Sequence, residues 1–243
     1  MGWQHRGMVV IHPTAVVDGG AELAGDVVVG AYAVVHGGVR LGAGVWVDAH
    51  AVVGGAPQDL GFRGGRTLVE VGAGTAIREG AIVHRSTDVE RPTRIGAGCL
   101  IMGQTHLGHD CQVGDGVVIT QQAALGGHVS VGDGAVVGGM AAVHQRVRIG
   151  ARAMVGALAK VTRDVLPFSS VDGNPATHRA LNVVGLRRSE VTDADIRALR
   201  AAFGQLRTGG EVSGEHVLVQ ELAEFLQAES ARGIAPFARG AAE

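Results

Sequence analysis

The chain has 243 residues, 40 of them glycine, with a formal net charge of −2 and only 3% aromatic residues. That length allows a full core, and a near-neutral charge gives no electrostatic reason to expect nucleic acid as a partner. So few aromatics exclude an ordinary globular core rich in Phe and Tyr, so the interior has to be built from small aliphatics. The two cysteines, Cys99 and Cys111, sit at small apolar positions and read as buried thiols in a reducing compartment, without a disulfide. With no signal peptide and no run of 18 apolar residues, the expectation is a soluble, cytoplasmic protein with no integral membrane segment.

After a short lead-in over residues 1–10, Ile11, Val17, Leu23, Val29, Val35, Leu41, Val47 and Val53 recur at every sixth position. The period lapses over 54–70, GGAPQDLGFRGGRTLVE, a gap equal to one coil. Pro57, several glycines and the rare aromatic Phe62 mark this stretch as an extruded loop. From Val71 to Val161 the period resumes in the same phase, with Val, Ile or Leu at every sixth residue, Val89 included, and Val, Thr, Ala or Cys two residues before each. A helix cannot keep such a stripe on one side at 3.6 residues per turn. Very short strands joined by tight bends can. Three hexads close one triangular coil of 18 residues, giving about eight coils and a prism roughly 35 to 40 Å long at the usual strand spacing.

Beyond Val161 the period stops, and Pro167 and Pro175 interrupt the chain. Thr192 and Asp195 make a capping box for a helix carrying Ile196, Leu199, Phe203 and Leu206, which Gly209 and Gly210 end. Ser213 opens a second amphipathic helix with Val217, Leu218, Leu222 and Leu226, and the tail RGIAPFARGAAE reads as frayed. The division that results is a β-helix domain over 1–185 and a small helical domain over 186–243.

Chemistry concentrates in THLGHDC, residues 105–111. An 18-residue coil stacks His109 beneath Gly127 and Asp110 beneath His128, about 4.8 Å apart between rungs. A histidine beside a glycine N–H suits acyl transfer, the imidazole deprotonating a hydroxyl and the N–H binding the oxyanion, with Asp110 orienting the base. No serine or cysteine nucleophile stands beside it, which favours direct transfer. Two other readings stay open on pattern alone. Corner histidines are often plain solvated surface, and His106 and His109 lack the compact spacing of a metal site, so no metal is expected. His84 and His144 follow inward aliphatics and read as surface; Arg187 and Arg188 form a basic pair suited to a pyrophosphate.

The ordered motifs HPTAVV, PQDLGF, IREGAIVHRST, THLGHDC, LGGHVSVGD, GGMAAVHQ, GNPAT and NVVGLRR resemble the UDP-N-acetylglucosamine 3-O-acyltransferases that begin lipid A synthesis. The resemblance implies a left-handed parallel β-helix of hexapeptide repeats with a small C-terminal α-helical domain, a homotrimer with sites between subunits. It implies acyl carrier protein as donor, its phosphopantetheine thioester being a co-substrate, a UDP-sugar acceptor and no further cofactor. By motif match it assigns His109, Asp110 and Gly127 to catalysis; Gln58, Asp59, His106, His128, His144, Gln145, Asn182 and Arg188 to substrate binding; and Ala157 to an acyl-chain ruler. Four positions depart from the family pattern: Gly61 for a lysine, Ser86 for a glycine, Val184 for an acidic residue and Ser189 for an arginine. Three of these lie in the loop and nucleotide shell, so a relative acting on another nucleotide sugar, amino sugar or amine is one alternative, and a non-catalytic trimeric scaffold is another.

Overall fold

The computed structural model describes residues 8–238. Strands of two to four residues, with two longer ones at the end of the array, form three sheets of ten, eight and seven strands, parallel except for the last pair of the first, which wind as the faces of a prism. Rungs repeat every 18 residues: Leu107 pairs with Leu125 and Leu125 with Val143. The inward stripe, from Val27 to Val161, is almost wholly buried and stacks like on like, with Cys99, Cys111 and Ala123 at the narrow positions. Each such aliphatic contributes about 1.5–3 kcal/mol of burial, and no coil could bury its own row without its neighbours.

The period misleads in two places. Leu41 pairs with Val71, 30 residues on, so the 54–70 segment adds twelve residues to one corner of a complete coil; it does not stand in for a coil. Val71 pairs with Ile95, 24 residues on, because residues 85–92 form a second insertion. Val89, expected inward, lies on that insertion and is 54% exposed. Its spacing keeps the phase of six, which is why the sequence hides it.

After the prism, strands Ser169–Gly173 and Ala176–Leu181 form an antiparallel hairpin closing the first sheet. Helix α1 (Val183–Arg188) follows, then α2 (Asp193–Arg207) and α3 (Val217–Gln227). The sequence reading misses α1, which is too short to show periodicity, and the division at 185/186 falls inside it. The capping box forms as expected, the Thr192 hydroxyl accepting from Asp195 N–H and the Asp195 carboxylate accepting from Thr192 N–H. Helix α3 starts later than expected, with His216 at its cap in place of Ser213: the ring accepts from Leu218 N–H while Nε2 meets Asp195 of α2 at 2.8 Å.

A second core of Leu166, Phe168, Leu186, Ile196, Leu199, Phe203 and Leu222 joins these helices to the prism exit. Buried Asp164 locks the joint, accepting from Arg148 Nε at 2.7 Å and from the Ser230 hydroxyl at 2.7 Å. The tail, expected to fray, packs back as far as 238: Ala235 is buried, and Ile234 and Phe237 bridge to Asp164 and His178. Residues 1–7 of the lead-in and 239–243 of the tail lie outside the described residues.

Candidate active site

Residues 108–111 turn a corner between strands His106–Leu107 and Gln112–Val113. Asp110 takes a left-handed backbone there, φ 62°, which Asp tolerates better than most residues. His109 Nδ1 stands 2.6 Å from Asp110 Oδ2. Thr87, on the 85–92 insertion, donates its N–H to Oδ1 at 2.9 Å and its hydroxyl to Oδ2 at 2.8 Å, while Asp110 N–H donates to Thr93 Oγ1. Burial alone would raise the Asp110 pKa, but the hydrogen bonds from His109 and Thr87 and the field of His128 outweigh it and hold the carboxyl below its ordinary value. An ionised carboxylate on Nδ1–H leaves Nε2 as the basic nitrogen.

That nitrogen faces Gly127, one rung on. A Cβ at Gly127 would fall 2.6 Å from both Nε2 and Cε1 of His109, so only glycine fits. Gly126 N–H donates to Val143 O and His128 N–H to His109 O, whereas Gly127 N–H has no acceptor among the described hydrogen bonds. His128 stands edge-on to His109 at 5.1 Å, with Nε2 3.6 Å from Asp110 Oδ2. Its pKa is lowered, first by burial and then by Arg146 and His109, against the opposing pull of Asp110 and Asp59.

His109, Asp110 and His128 present ligand-type atoms within 4.8 Å of one another, the one such group among the described residues. Both Asp110 oxygens already accept hydrogen bonds, and Nδ1 and Oδ2 are closer than the roughly 3.3 Å that two donors of one tetrahedral zinc would keep at the usual bond lengths. The geometry is that of a proton relay. Cys111 offers no nucleophile, because it points inward and burial pushes its thiol up to about 12.

A second histidine pair adjoins the relay. His84 and His106 meet edge to face at 5.1 Å, and both Nε2 atoms are buried without a partner. His84 is 7% exposed and not the surface residue its position suggests, because the 54–70 loop roofs it, Ala56 O lying 2.7 Å from Nδ1. The His106 pKa is lowered, mainly by burial and then by His84 and His109. On the same loop Gln58 and Asp59 are exposed, and the Asp59 carboxylate accepts Gly61 N–H at 2.7 Å.

Of the other expected residues, Gln145 borders this cluster, its backbone stacked on Gly126, while Ala157, Asn182 and Arg188 belong to other parts of the fold. His144 and Gln145 are exposed on the following rung, Gln145 O accepting from Arg232 Nε at 2.9 Å. Asn182 caps α1, accepting Gly185 N–H and donating to Arg152 O, while Arg188 is exposed in the last turn. Ala157 is exposed at the corner beside Gly138. Thr87 is the functional candidate that sequence reasoning misses, since the unbroken phase puts it at an inward position; the polar run STDVERP around it was the available signal.

A three-faced parallel coil carrying an outward His–Asp pair against a glycine N–H defines a hexapeptide-repeat transferase. The family model described as Bacterial transferase hexapeptide (six repeats) matches residues 92–127, and that described as Udp N-acetylglucosamine O-acyltransferase, Domain 2, matches 164–235. The chain belongs to the UDP-N-acetylglucosamine O-acyltransferase family, whose fold is the left-handed β-helix. A relative from Akkermansia muciniphila, named acyl-[acyl-carrier-protein]–UDP-N-acetylglucosamine O-acyltransferase, is 48% identical over 72% of this chain and 67% of its own. One of the same name from Synechocystis is 38% identical over 60% of this chain and 53% of its own, so the matches span half to two thirds of these relatives. The structure of LpxA from Acinetobacter baumannii superposes with a TM-score of 0.81 at 31% identity, covering 93% of this chain and 99% of that one.

Proposed function

We propose that this chain transfers a 3-hydroxyacyl group from acyl carrier protein to the 3-hydroxyl of UDP-N-acetylglucosamine, the opening reaction of lipid A synthesis, with His109 as general base. The single observation that carries the mechanism is the position of His109 between Asp110, at 2.6 Å, and the Gly127 backbone. Nε2 takes the proton of the sugar hydroxyl as its oxygen attacks the thioester carbonyl carbon. The oxyanion lies against Gly127 N–H. When the C–S bond breaks, the imidazolium returns the proton to the departing phosphopantetheine sulfur. No acyl-enzyme forms and no cofactor beyond the carried thioester takes part.

His106 and His128, with lowered pKa values, serve as neutral hydrogen-bonding groups toward the sugar, with Gln58 and Asp59 above them on the loop. His144, Gln145, Asn182 and Arg188 complete the nucleotide shell, and Ala157 ends the acyl groove. Because Asn182, Arg188 and Ala157 make no described contact with His109 or its neighbours, a homotrimer is part of the proposal, with each site shared between copies. The faces of the prism support it. Outward residues of the first two sheets are mostly apolar, among them Val28, Trp46, Leu100, Val34 and Ile82, whereas those of the third are polar or charged, among them Glu22, Arg40, Glu70 and Arg94. The trough of about 640 Å³ on that charged face is lined by none of the histidines and takes no part. A cytoplasmic location, in keeping with two free cysteines and with no described helix long and apolar enough to cross a membrane, completes the reading.

The test is to offer the protein UDP-N-acetylglucosamine, plain N-acetylglucosamine and amino-sugar nucleotides with acyl carrier protein thioesters of graded length, and to identify products by mass. O-acylated UDP-N-acetylglucosamine is the expected product. Preference for another acceptor would trace to Gly61, Val184 and Ser189, and no product with any would favour a scaffold.

A further inference from the structure

We infer that Thr87 is a positioning residue of the reaction, holding Asp110 through both carboxylate oxygens so that the proton of His109 stays on Nδ1 and the basic lone pair stays on Nε2. The inference rests on the transfer mechanism above. Its footing is geometric. The Thr87 N–H reaches Oδ1 at 2.9 Å and the hydroxyl reaches Oδ2 at 2.8 Å, a two-point grip across 23 residues of sequence. Of the charged groups near the carboxylate, His109 touches it and His128 lies at 3.6 Å; His128 in turn feels Arg146 and Asp59. No other side-chain donor reaches either oxygen among the described hydrogen bonds, so without the Thr87 hydroxyl the carboxylate is held only at Oδ1, by the N–H of residue 87, and Oδ2 is free to pivot away from Nδ1.

The grip is itself anchored. Ser86, fully buried, donates its hydroxyl to Asp88 O at 2.8 Å and its N–H to Leu68 O at 3.2 Å. Arg85 N–H donates to Gly55 O and its guanidinium to Gly54 O. The insertion bearing Thr87 is therefore bolted to both ends of the loop bearing Gln58 and Asp59.

The experiment compares wild type, Thr87→Val and Thr87→Ser by steady-state kinetics across pH, by thermal unfolding, and by nitrogen-15 NMR of the His109 tautomer. Val should lower kcat about ten- to hundredfold with KM for the UDP-sugar within about threefold. It should also move the acid limb of the kcat profile to lower pH, because an imidazolium that the carboxylate has released loses its ion partner, and bring up the Nε2–H tautomer. Ser should restore all three. Wild-type kcat, acid limb and tautomer in the Val variant would overturn the inference, as would a loss that follows unfolding, keeps Nδ1–H and is not rescued by Ser. If wild type acylates no acceptor, the transfer reading fails, and the tautomer still decides the role of Thr87.

Discussion

His109 and Asp110 are consecutive residues whose side chains face one another, Nδ1 to Oδ2 at 2.6 Å, at a corner where Asp110 adopts φ 62°. Neighbouring side chains on an extended strand point to opposite faces. The corner of the coil turns the pair together, and the repeat thereby supplies the geometry of the pair as well as a core.

Replacing Asp110 by Asn tests that pairing with little change in shape, since Asn also accepts the left-handed backbone. An amide offers Nδ1 an N–H in place of an acceptor and turns the imidazole to the wrong tautomer. We expect kcat to fall by about 10² to 10⁴ with KM little changed, as steady-state kinetics would show, and the circular dichroism spectrum to be retained.

Gly127→Ala should be nearly as damaging. Its Cβ would meet the His109 ring at 2.6 Å, so the base must move away from both Asp110 and the oxyanion donor. About a hundredfold loss of kcat is expected, because misplacement by 1 Å is enough for that. Measured thermal unfolding should shift little, since the imidazole lies outside the aliphatic core.

Acid should loosen the C-terminal joint before it melts the prism. His178 is fully buried, its Nδ1 2.8 Å from Ala235 O and its Nε2 accepting Leu166 N–H, and burial lowers its pKa to about 4. A depressed folded value means the unfolded state binds the proton first, so stability present above about 6.5 is lost as pH falls toward 4, by roughly 3 kcal/mol in all. Hydrogen exchange should show residues 232–238 deprotecting across that window, and His178→Asn should flatten the pH dependence of unfolding.

Ala157→Met should shorten the accepted acyl chain by several carbons by filling the end of the groove. Competition between acyl carrier protein thioesters of graded length would show it, with kcat on the preferred shorter donor kept within about threefold.

The prism was legible in the sequence because a single number, six, governs both which residues point inward and which stack. The same number places His109 under Gly127 and Asp110 under His128. It failed where an insertion is itself a multiple of six: Val89 and Thr87 look like core positions, and only strand pairing, Val71 to Ile95, reveals the extra turn. His84 misled for a related reason, since what buries it is a loop whose path no periodicity encodes. Helix α1 carries too few residues to show a pattern, and the tail shows none, being held by Asp164 and His178 from the far side of the domain.

The central claim is that His109 Nε2 removes the acceptor proton in a direct transfer. Single-turnover transfer from 3-hydroxyacyl carrier protein to UDP-N-acetylglucosamine, measured for wild type and His109→Ala, tests it most directly. The account predicts a rate lower by about 10³-fold or more in a protein that unfolds at nearly the wild-type temperature. Equal rates in the two proteins would contradict it.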